Sequence, residues 1–168
     1  LQFNATGDVL TGTGEAGATV SLTLADGTPV GAGTVGVDGT FLIDLTQAQN
    51  AGEQVFVVLT DAAGNASAAG SLLAPDTTPP ATVAGLQIND AGNVISGTGE
   101  AGASVYVTDP AGNIVGTGTV SANGTFTVTL PVAQLNGEQL SVVQRDAAGN
   151  PSVGETISAP DVTPPAPP

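Results

Sequence analysis

The side chains of this sequence that could do chemistry are carboxylates and hydroxyls. The 168 residues include 15 Asp and Glu but no His and no Cys, and Arg145 is the one basic residue. This composition removes histidine-based proton transfer, thiolate and Schiff-base nucleophiles, and zinc or iron–sulfur ligation. We therefore predict that the chain is not an enzyme, and the carboxylates are left as candidate ligands for a cation.

The formal net charge of −14 narrows the range of partners. Nucleic acid and anionic membrane surfaces are bound through Lys and Arg, so neither is an expected partner. No apolar run is long enough to span a bilayer, and the first residues lack the basic and apolar pattern of a signal segment. Without Cys, disulfide bonds cannot indicate the compartment.

The sequence repeats itself at an offset of 85 residues (97 − 12). Gly12–Ala18 recurs as Gly97–Ala103, and Asp61–Asn65 recurs as Asp146–Asn150 at the same offset. This period is longer than the usual solenoid or propeller unit, so each copy is interpreted as a whole domain. We predict a first repeat at 1–76, a second at 77–161, and the start of a further linker at 162–168.

A connector rich in proline ends each copy, at Ala74–Ala81 and again at Ala159–Ala166. Its paired prolines have a fixed φ and no amide hydrogen, which favours a short, stiff, extended segment. Leu1–Asn4 aligns with Leu86–Asn89, so the first copy lacks the connector that should precede it. We therefore expect the chain to be a segment of a longer array.

Short alternating apolar segments separated by Gly, Asn and Pro turns indicate seven β-strands per copy. The predicted fold is all-β, with two tandem seven-stranded immunoglobulin-like β-sandwiches joined by a Pro-rich linker. Phe41 and Phe126 occupy matching inward positions and are predicted core residues, whereas Tyr106 is out of phase with the inward valines and is expected on the outer face. In the second copy the predicted strands are Leu86–Asn89, Val94–Gly99, Ser104–Asp109, Ile114–Val120, Thr125–Leu130, Gln139–Arg145 and Ser152–Ser158.

Strand parity brings three acidic residues to one place in this prediction. Alternate loops of an antiparallel sandwich lie at the same end, so Glu100 and Asp146 should meet the connector's Asp76. Three close carboxylates repel one another unless a cation compensates, and Ca²⁺ prefers oxygen ligands of this kind. By the same logic Glu15 and Asp61 form half of such a site in the first copy. The remaining candidate, Asp161, would serve a following copy.

An alternative interpretation stays open for each acid. Acidic loop residues are mostly solvated, and Asp-x-x-Gly-Asn is an ordinary turn sequence. Asp8 is a weaker candidate ligand because the second copy has Asn93 at that position. Glu53 recurs as Glu138, but both lie in loops at the opposite end and are interpreted as structural.

The ordered motifs Gly-Thr-Gly-Glu-Ala-Gly-Ala, Asp-Ala-Ala-Gly-Asn and Asp-x-Thr-Pro-Pro resemble bacterial immunoglobulin-like repeats of large biofilm-associated adhesins. The resemblance covers the whole chain. It implies tandem sandwiches on the bacterial cell surface, in proteins exported by type I secretion, with calcium at the domain junctions of several members. The implied partners are neighbouring repeats of the same chain, and beyond them other cells or the biofilm matrix.

Three functions remain open at this point. The first is a structural spacer in a surface adhesin, stiffened by Ca²⁺. The second is a binding module for carbohydrate or a host protein, for which Tyr106 alone would be a weak aromatic platform. The third is self-association between cells, which the net charge opposes unless calcium bridges the copies.

Overall fold

The computed structural model describes residues 1–164, and these form two units with a boundary between Thr78 and Pro79. The predicted further linker at 162–168 lies outside the described residues from position 165 onward. Within residues 1–164 no helix is long and apolar enough to cross a membrane.

Unit 1, residues 1–78, contains seven strands in two antiparallel sheets. One sheet has the order β1-β2-β5 and the other has the order β4-β3-β6-β7. The fourth strand therefore pairs with the third, as in a sandwich of three plus four strands. The strands are β1 Gln2–Phe3, β2 Val9–Thr13, β3 Thr19–Leu24, β4 Pro29–Thr34, β5 Thr40–Asp44, β6 Gln54–Thr60 and β7 Gly70–Leu73.

Unit 2, from Pro79 onward, repeats this arrangement. Its sheets have the orders β12-β9-β8 and β11-β10-β13-β14. The strands are β8 Ala84–Ile88, β9 Val94–Thr98, β10 Ser104–Thr108, β11 Ile114–Thr119, β12 Thr125–Thr129, β13 Gln139–Arg145 and β14 Glu155–Ser158.

Each unit has its own core, built from the inward residues of both sheets. In β12 the pattern of exposed and buried residues alternates, with Phe126 and Val128 inward and the threonines outward. Phe41 and Phe126 are 5% and 3% exposed, which confirms them as core residues. The side chain of Val83 is also buried in the core of unit 2, so this core includes residues that precede the first strand.

The predicted all-β fold of two tandem immunoglobulin-like sandwiches is confirmed. Five strands of unit 2 end one residue earlier than predicted, and two strands begin at a different residue. The first strand of unit 2 begins at Ala84, whose partner is Thr98. The last strand begins at Glu155, because Ser152 already pairs with the end of β13 through its amide and the chain leaves the ladder before Glu155.

Candidate metal-binding loops

Three loops of unit 2 meet at one end of the sandwich, here called its leading end: the β9–β10 loop with Glu100, the β11–β12 loop and the β13–β14 loop with Asp146. The amide of Gly99 donates to the carbonyl of Gly124 at 2.9 Å, which joins the first two loops. The amide of Glu100 donates to Oε1 of Gln144 at 2.9 Å, which joins the first loop to the end of β13. The loops that the alternation of strand direction places at one end of unit 2 are therefore bonded to one another.

Gln144 also holds the connector at this end. Its side-chain Nε2 donates to the carbonyl of Ala81 at 2.5 Å, and its backbone amide donates to Oγ of Ser152 at 3.1 Å. The side chain is fully buried. One buried amide thus joins the connector, the Glu100 loop and β13, so the second half of the connector is part of unit 2.

The leading end of unit 1 brings Glu15 and Asp61 into one shallow hollow, together with Asn65 and Ser67. As in unit 2, the first loop is bonded to the β4–β5 loop, here from the amide of Gly14 to the carbonyl of Gly39 at 2.9 Å. The structure therefore brings together the two acids that the sequence paired in this copy.

The aspartates of the Asp-x-x-Gly-Asn loops have a local role. Oδ1 of Asp61 accepts from the amides of Ala63 and Asn65 at 2.9 and 2.8 Å, and Oδ2 accepts from the Asn65 side chain at 2.9 Å. These bonds from Asn65 lower the pKa of Asp61 below its ordinary value. Loss of solvent contact would raise the pKa of Asp146, but hydrogen bonds from Asn150 outweigh it and leave that pKa lowered. Both carboxylates are therefore charged at neutral pH.

Asp109 adopts the same turn in a loop of the opposite end. Its Oδ1 accepts from the amides of Ala111 and Asn113 at 2.9 and 2.8 Å, and its Oδ2 accepts from the Asn113 side chain at 2.9 Å. The side-chain and backbone bonds from Asn113 lower the pKa of Asp109 below its ordinary value. The hydrogen bonds of this turn therefore come from within its own loop. The recurrence of Asp61 as Asp146 is explained by turn formation alone, and Glu15 and Glu100 are the acids whose recurrence the turn does not explain.

The connector aspartates lie at the end of each sandwich opposite the leading end, here called the trailing end. Each is bonded to loops of its own unit. Oδ1 of Asp76 accepts from the amide of Thr78 at 3.1 Å, and Asp76 forms a β-bridge with Ala51. The amide of Thr77 donates to the carbonyl of Asn50 at 2.8 Å. The first half of the connector is therefore fixed to unit 1.

The second connector repeats these bonds in unit 2. Oδ1 of Asp161 accepts from the amide of Thr163 at 3.0 Å, and Asp161 bridges Asn136. The amide of Val162 donates to the carbonyl of Leu135 at 3.0 Å. Each connector aspartate is thus a turn residue at the trailing end of its own copy, whether or not it also binds an ion.

The other acids that the sequence singled out have local partners. Oδ1 of Asp8 accepts from the hydroxyl of Thr6 at 2.6 Å and from the Asn4 side chain, which lowers the pKa of Asp8. Glu53 accepts from the amide of Ala51 at 2.9 Å, and Glu138 accepts from the amide of Asn136 at 2.7 Å. Both glutamates thus brace the loops that hold the connectors.

The donor chemistry of the leading-end loops suits calcium, but one unit supplies too few acids alone. Within each unit, as far as residue 164, no three acidic side chains lie close enough together to hold a metal ion. Glu100 and Asp146 belong to unit 2, whereas Asp76 belongs to unit 1. The complete set of three ligands therefore stays a prediction, and so does calcium itself.

Two features of this end and its neighbouring sheet were not predicted from the sequence: the buried Gln144 side chain and a contact between Arg145 and Tyr106. Gln144 follows Leu140 and Val142 on the inward face of β13, so a polar residue at a core position was the available signal. The second is the approach of Arg145 to Tyr106, with the guanidinium carbon 5.8 Å from the ring centroid. Both depend on contacts between different strands.

The sequence matches the family model of the bacterial Ig domain twice, over residues 1–76 and 79–161. A comparison with curated proteins finds no match. Among solved structures the chain is similar to a biofilm-associated protein BSP domain, with 22% identity, coverage of 97% of this chain and 29% of that chain, and a TM-score of 0.42.

Two further solved structures are similar over most of their own length. One is a segment of two fibronectin type III domains from chicken tenascin, with 13% identity, 94% coverage of each chain and a TM-score of 0.37. The other is the D00-D0 domain of intimin, with 13% identity, 96% coverage of each chain and a TM-score of 0.39. The chain spans less than a third of the biofilm-associated protein structure it matches. Because the bacterial Ig model covers nearly all of the sequence, the chain belongs to the bacterial Ig domain family and contains two tandem members of it.

Proposed function

We propose that the chain is a spacer segment of a bacterial cell-surface adhesin, with calcium stiffening the junctions of a tandem array. The observation that carries the spacer role is the attachment of the connector on both sides. Thr77 is bonded to the trailing end of unit 1, and Ala81 is bonded to Gln144 in unit 2. Only Thr78 and the two prolines separate these attachment points, and Thr78 is itself bonded to Asn50.

A spacer must keep the domains at its two ends apart, which requires connectors that resist bending. The sequence and hydrogen bonds of this connector favour such stiffness. Proline fixes φ, and the residues on either side are held by hydrogen bonds instead of being solvated. A Gly- and Ser-rich tether would let the domains move freely. Membership of the bacterial Ig family and the adhesin-like motifs support a location outside the cell, on the bacterial surface, after export by type I secretion.

The calcium proposal rests on Glu100, whose recurrence at the position of Glu15 is not explained by turn formation. Glu100 is beside Gln144, which also binds the carbonyl of Ala81. Asp76 precedes Ala81 by five residues (81 − 76), a length of chain that spans at most about 18 Å. A chain of that length would allow the carboxylate of Asp76 to join those of Glu100 and Asp146 as oxygen ligands. In an array, Asp161 would serve the following copy, and Glu15 and Asp61 would receive the connector of a preceding one.

Calcium is expected to raise the melting temperature of unit 2. Extracellular calcium modules bind at about 10⁻⁴–10⁻³ M, so about 10 mM Ca²⁺ should stabilise the site by about 1.4–2.7 kcal/mol. In a domain of this size that corresponds to a rise of about 6–20 °C in the melting temperature. Tyr106 is the only tyrosine and there is no Trp, so fluorescence reports unit 2 alone. The measurement is a thermal scan in chelator and in calcium.

Matched variants separate ion binding from turn formation. Asp76→Asn, Glu100→Gln and Asp146→Asn should each remove most of the calcium-dependent rise. Asp109→Asn is the control, because Asp109 makes the same turn as Asp146 in a loop at the opposite end. An unchanged melting temperature in calcium would refute the site, as would an equal loss of response in Asp109→Asn.

A further inference from the structure

The only tyrosine and the only basic residue of the chain lie side by side on the outer face of one sheet in unit 2. Tyr106 is in β10 and Arg145 is in the neighbouring β13, with Val143 directly opposite Tyr106. These residues, with Thr108 and Ile114, line a hollow of about 430 Å³. We call this set the Tyr106 face. It combines an aromatic ring, two aliphatic side chains, a hydroxyl and one cation.

Unit 1 shows that the fold does not require this combination. At the offset of 85, the positions of Tyr106 and Arg145 are occupied by Ser21 and Thr60, and the same sheet forms with the same pairing. The position of Ile114, which is 60% exposed, is Pro29 in unit 1. The ring, the exposed aliphatic side chain and the cation are thus additions made in one copy on a common scaffold.

The charge of the chain makes the position of the single cation informative. A chain with a net charge of −14 has one guanidinium, and it lies over an aromatic ring on an exposed sheet face. The Arg145 side chain is steadied by a bond from Nη1 to the carbonyl of Gly149 at 3.2 Å. A guanidinium has several N–H donors in a planar fork that matches a carboxylate, so donors remain for a ligand.

The shape and chemistry of the Tyr106 face favour a sugar over a peptide strand. Strands β10 and β13 are both interior strands of their sheet, so their backbone groups are already paired and cannot accept an added strand. Recognition must come from side chains alone. A hollow of this volume lies in the range of small-ligand sites, and a tyrosine ring offers a flat apolar surface with a polar tip.

We propose that the Tyr106 face binds a neutral glycan that ends in one carboxylate-bearing sugar. The sugar would pack against Tyr106 while Arg145 receives its carboxylate. Polyanionic glycans are disfavoured, because Asp109 and Asp146 directly follow the two strands that form the face and the whole chain is acidic. This binding role is independent of the spacer function and does not involve the acids assigned to calcium as a ligand set.

The test is an NMR titration of the whole 168-residue chain with matched glycans. The probes are 3′-sialyllactose and a disaccharide ending in glucuronate, with lactose as the uncharged control. At least one acidic probe should shift amide resonances of residues 104–108 and 141–145, and lactose should bind at least about 10-fold more weakly, the factor for one charge-assisted contact.

Variants that carry the residues of unit 1 at the same positions distinguish a loss of binding from a loss of folding. Arg145→Thr and Tyr106→Ser introduce the residues found at the same sheet positions in unit 1, so the fold should be retained, as the amide spectrum will show. Arg145→Thr should abolish the preference over lactose, and Tyr106→Ser should weaken all binding by about 10-fold. Phe56→Ser, on the outer face of unit 1, is the control and should change nothing.

Three results would overturn the proposal. The first is the absence of binding by both acidic probes, and the second is equal binding of lactose. The third is self-association of the chain that Arg145→Thr abolishes while the acidic probes cause no shift, since the occupant would then be a second copy.

Discussion

Replacing Gln144 with alanine is expected to lower the free energy of unfolding of unit 2 by about 2–6 kcal/mol. The side chain is fully buried and bonds both the amide of Glu100 and the carbonyl of Ala81. Its removal leaves two polar groups without partners, each costing about 1–3 kcal/mol, and leaves a cavity between them. The measurement is urea unfolding followed by the fluorescence of Tyr106, which reports unit 2 alone.

Two further variants separate hydrogen bonding from packing at this position. Gln144→Leu fills the space and introduces the residue that unit 1 has there, Leu59. It should recover the packing contribution but not the hydrogen bonds, and so should lose less stability than the alanine variant while still losing the contribution of both hydrogen bonds. Gln139→Ala is the control, because Gln139 is exposed and its side chain donates to Oγ of Ser158. A loss below about 0.5 kcal/mol in Gln144→Ala would contradict the role of this residue.

A comparable loss is expected from Gly92→Ala, at the trailing end of unit 2. The φ of Gly92 is +65°, and a Cβ there would lie 2.1 Å from the backbone carbonyl oxygen of Gln134. The variant therefore combines left-handed strain of about 1–2 kcal/mol with the displacement of a backbone segment, for a total of about 3 kcal/mol or more. Urea unfolding with Tyr106 fluorescence measures the loss.

The control for this variant differs only in its surroundings. Gly112 has a φ of +85°, but a Cβ there would meet nothing within 4 Å. Gly112→Ala should therefore show the strain alone, about 1–2 kcal/mol. Equal losses in the two variants would show that the close approach to Gln134 has no effect.

The consequence of Gly92→Ala reaches the second connector. Gln134 precedes Leu135 and Asn136, and these residues hold Val162 and Thr163 through hydrogen bonds. Displacement of this loop should therefore raise the hydrogen-exchange rate of the Val162 amide more than Gly112→Ala does. In unit 1 the equivalent glycine, Gly7, approaches Gln49 in the same way.

The fold was predictable because its signals are local and repeated. Alternation such as Phe126, Val128 and Leu130 identifies a strand with one buried face, and the repeat at 85 residues marks the domain as the unit. Strand ends were less predictable. β14 begins at Glu155 because the preceding residues pair with the end of β13 in a separate bridge, and this depends on a partner elsewhere in the chain.

The leading-end loops were predictable in position but not in detail. Parity identified the loops that meet, and the hollow shared by Glu15 and Asp61 agrees with it. The role of Gln144 was not predictable, because its partners lie 44 and 63 residues away in sequence. The repeated aspartates were ambiguous for a physical reason. Their turn is complete through local bonds, as Asp109 demonstrates, so recurrence alone cannot distinguish a turn residue from a ligand.

The central claim, that calcium stiffens a spacer, is tested most directly by the distribution of distances between the two units. The chain has no Cys, so single cysteines at exposed Ala32 in unit 1 and exposed Thr127 in unit 2 can carry spin labels without further changes. Pulsed dipolar spectroscopy then measures the width of the distance distribution. We predict a narrow distribution in about 10 mM calcium, a broader one in chelator, and a broad one in both conditions for Asp76→Asn. The same width with and without calcium in the wild-type sequence would contradict the claim.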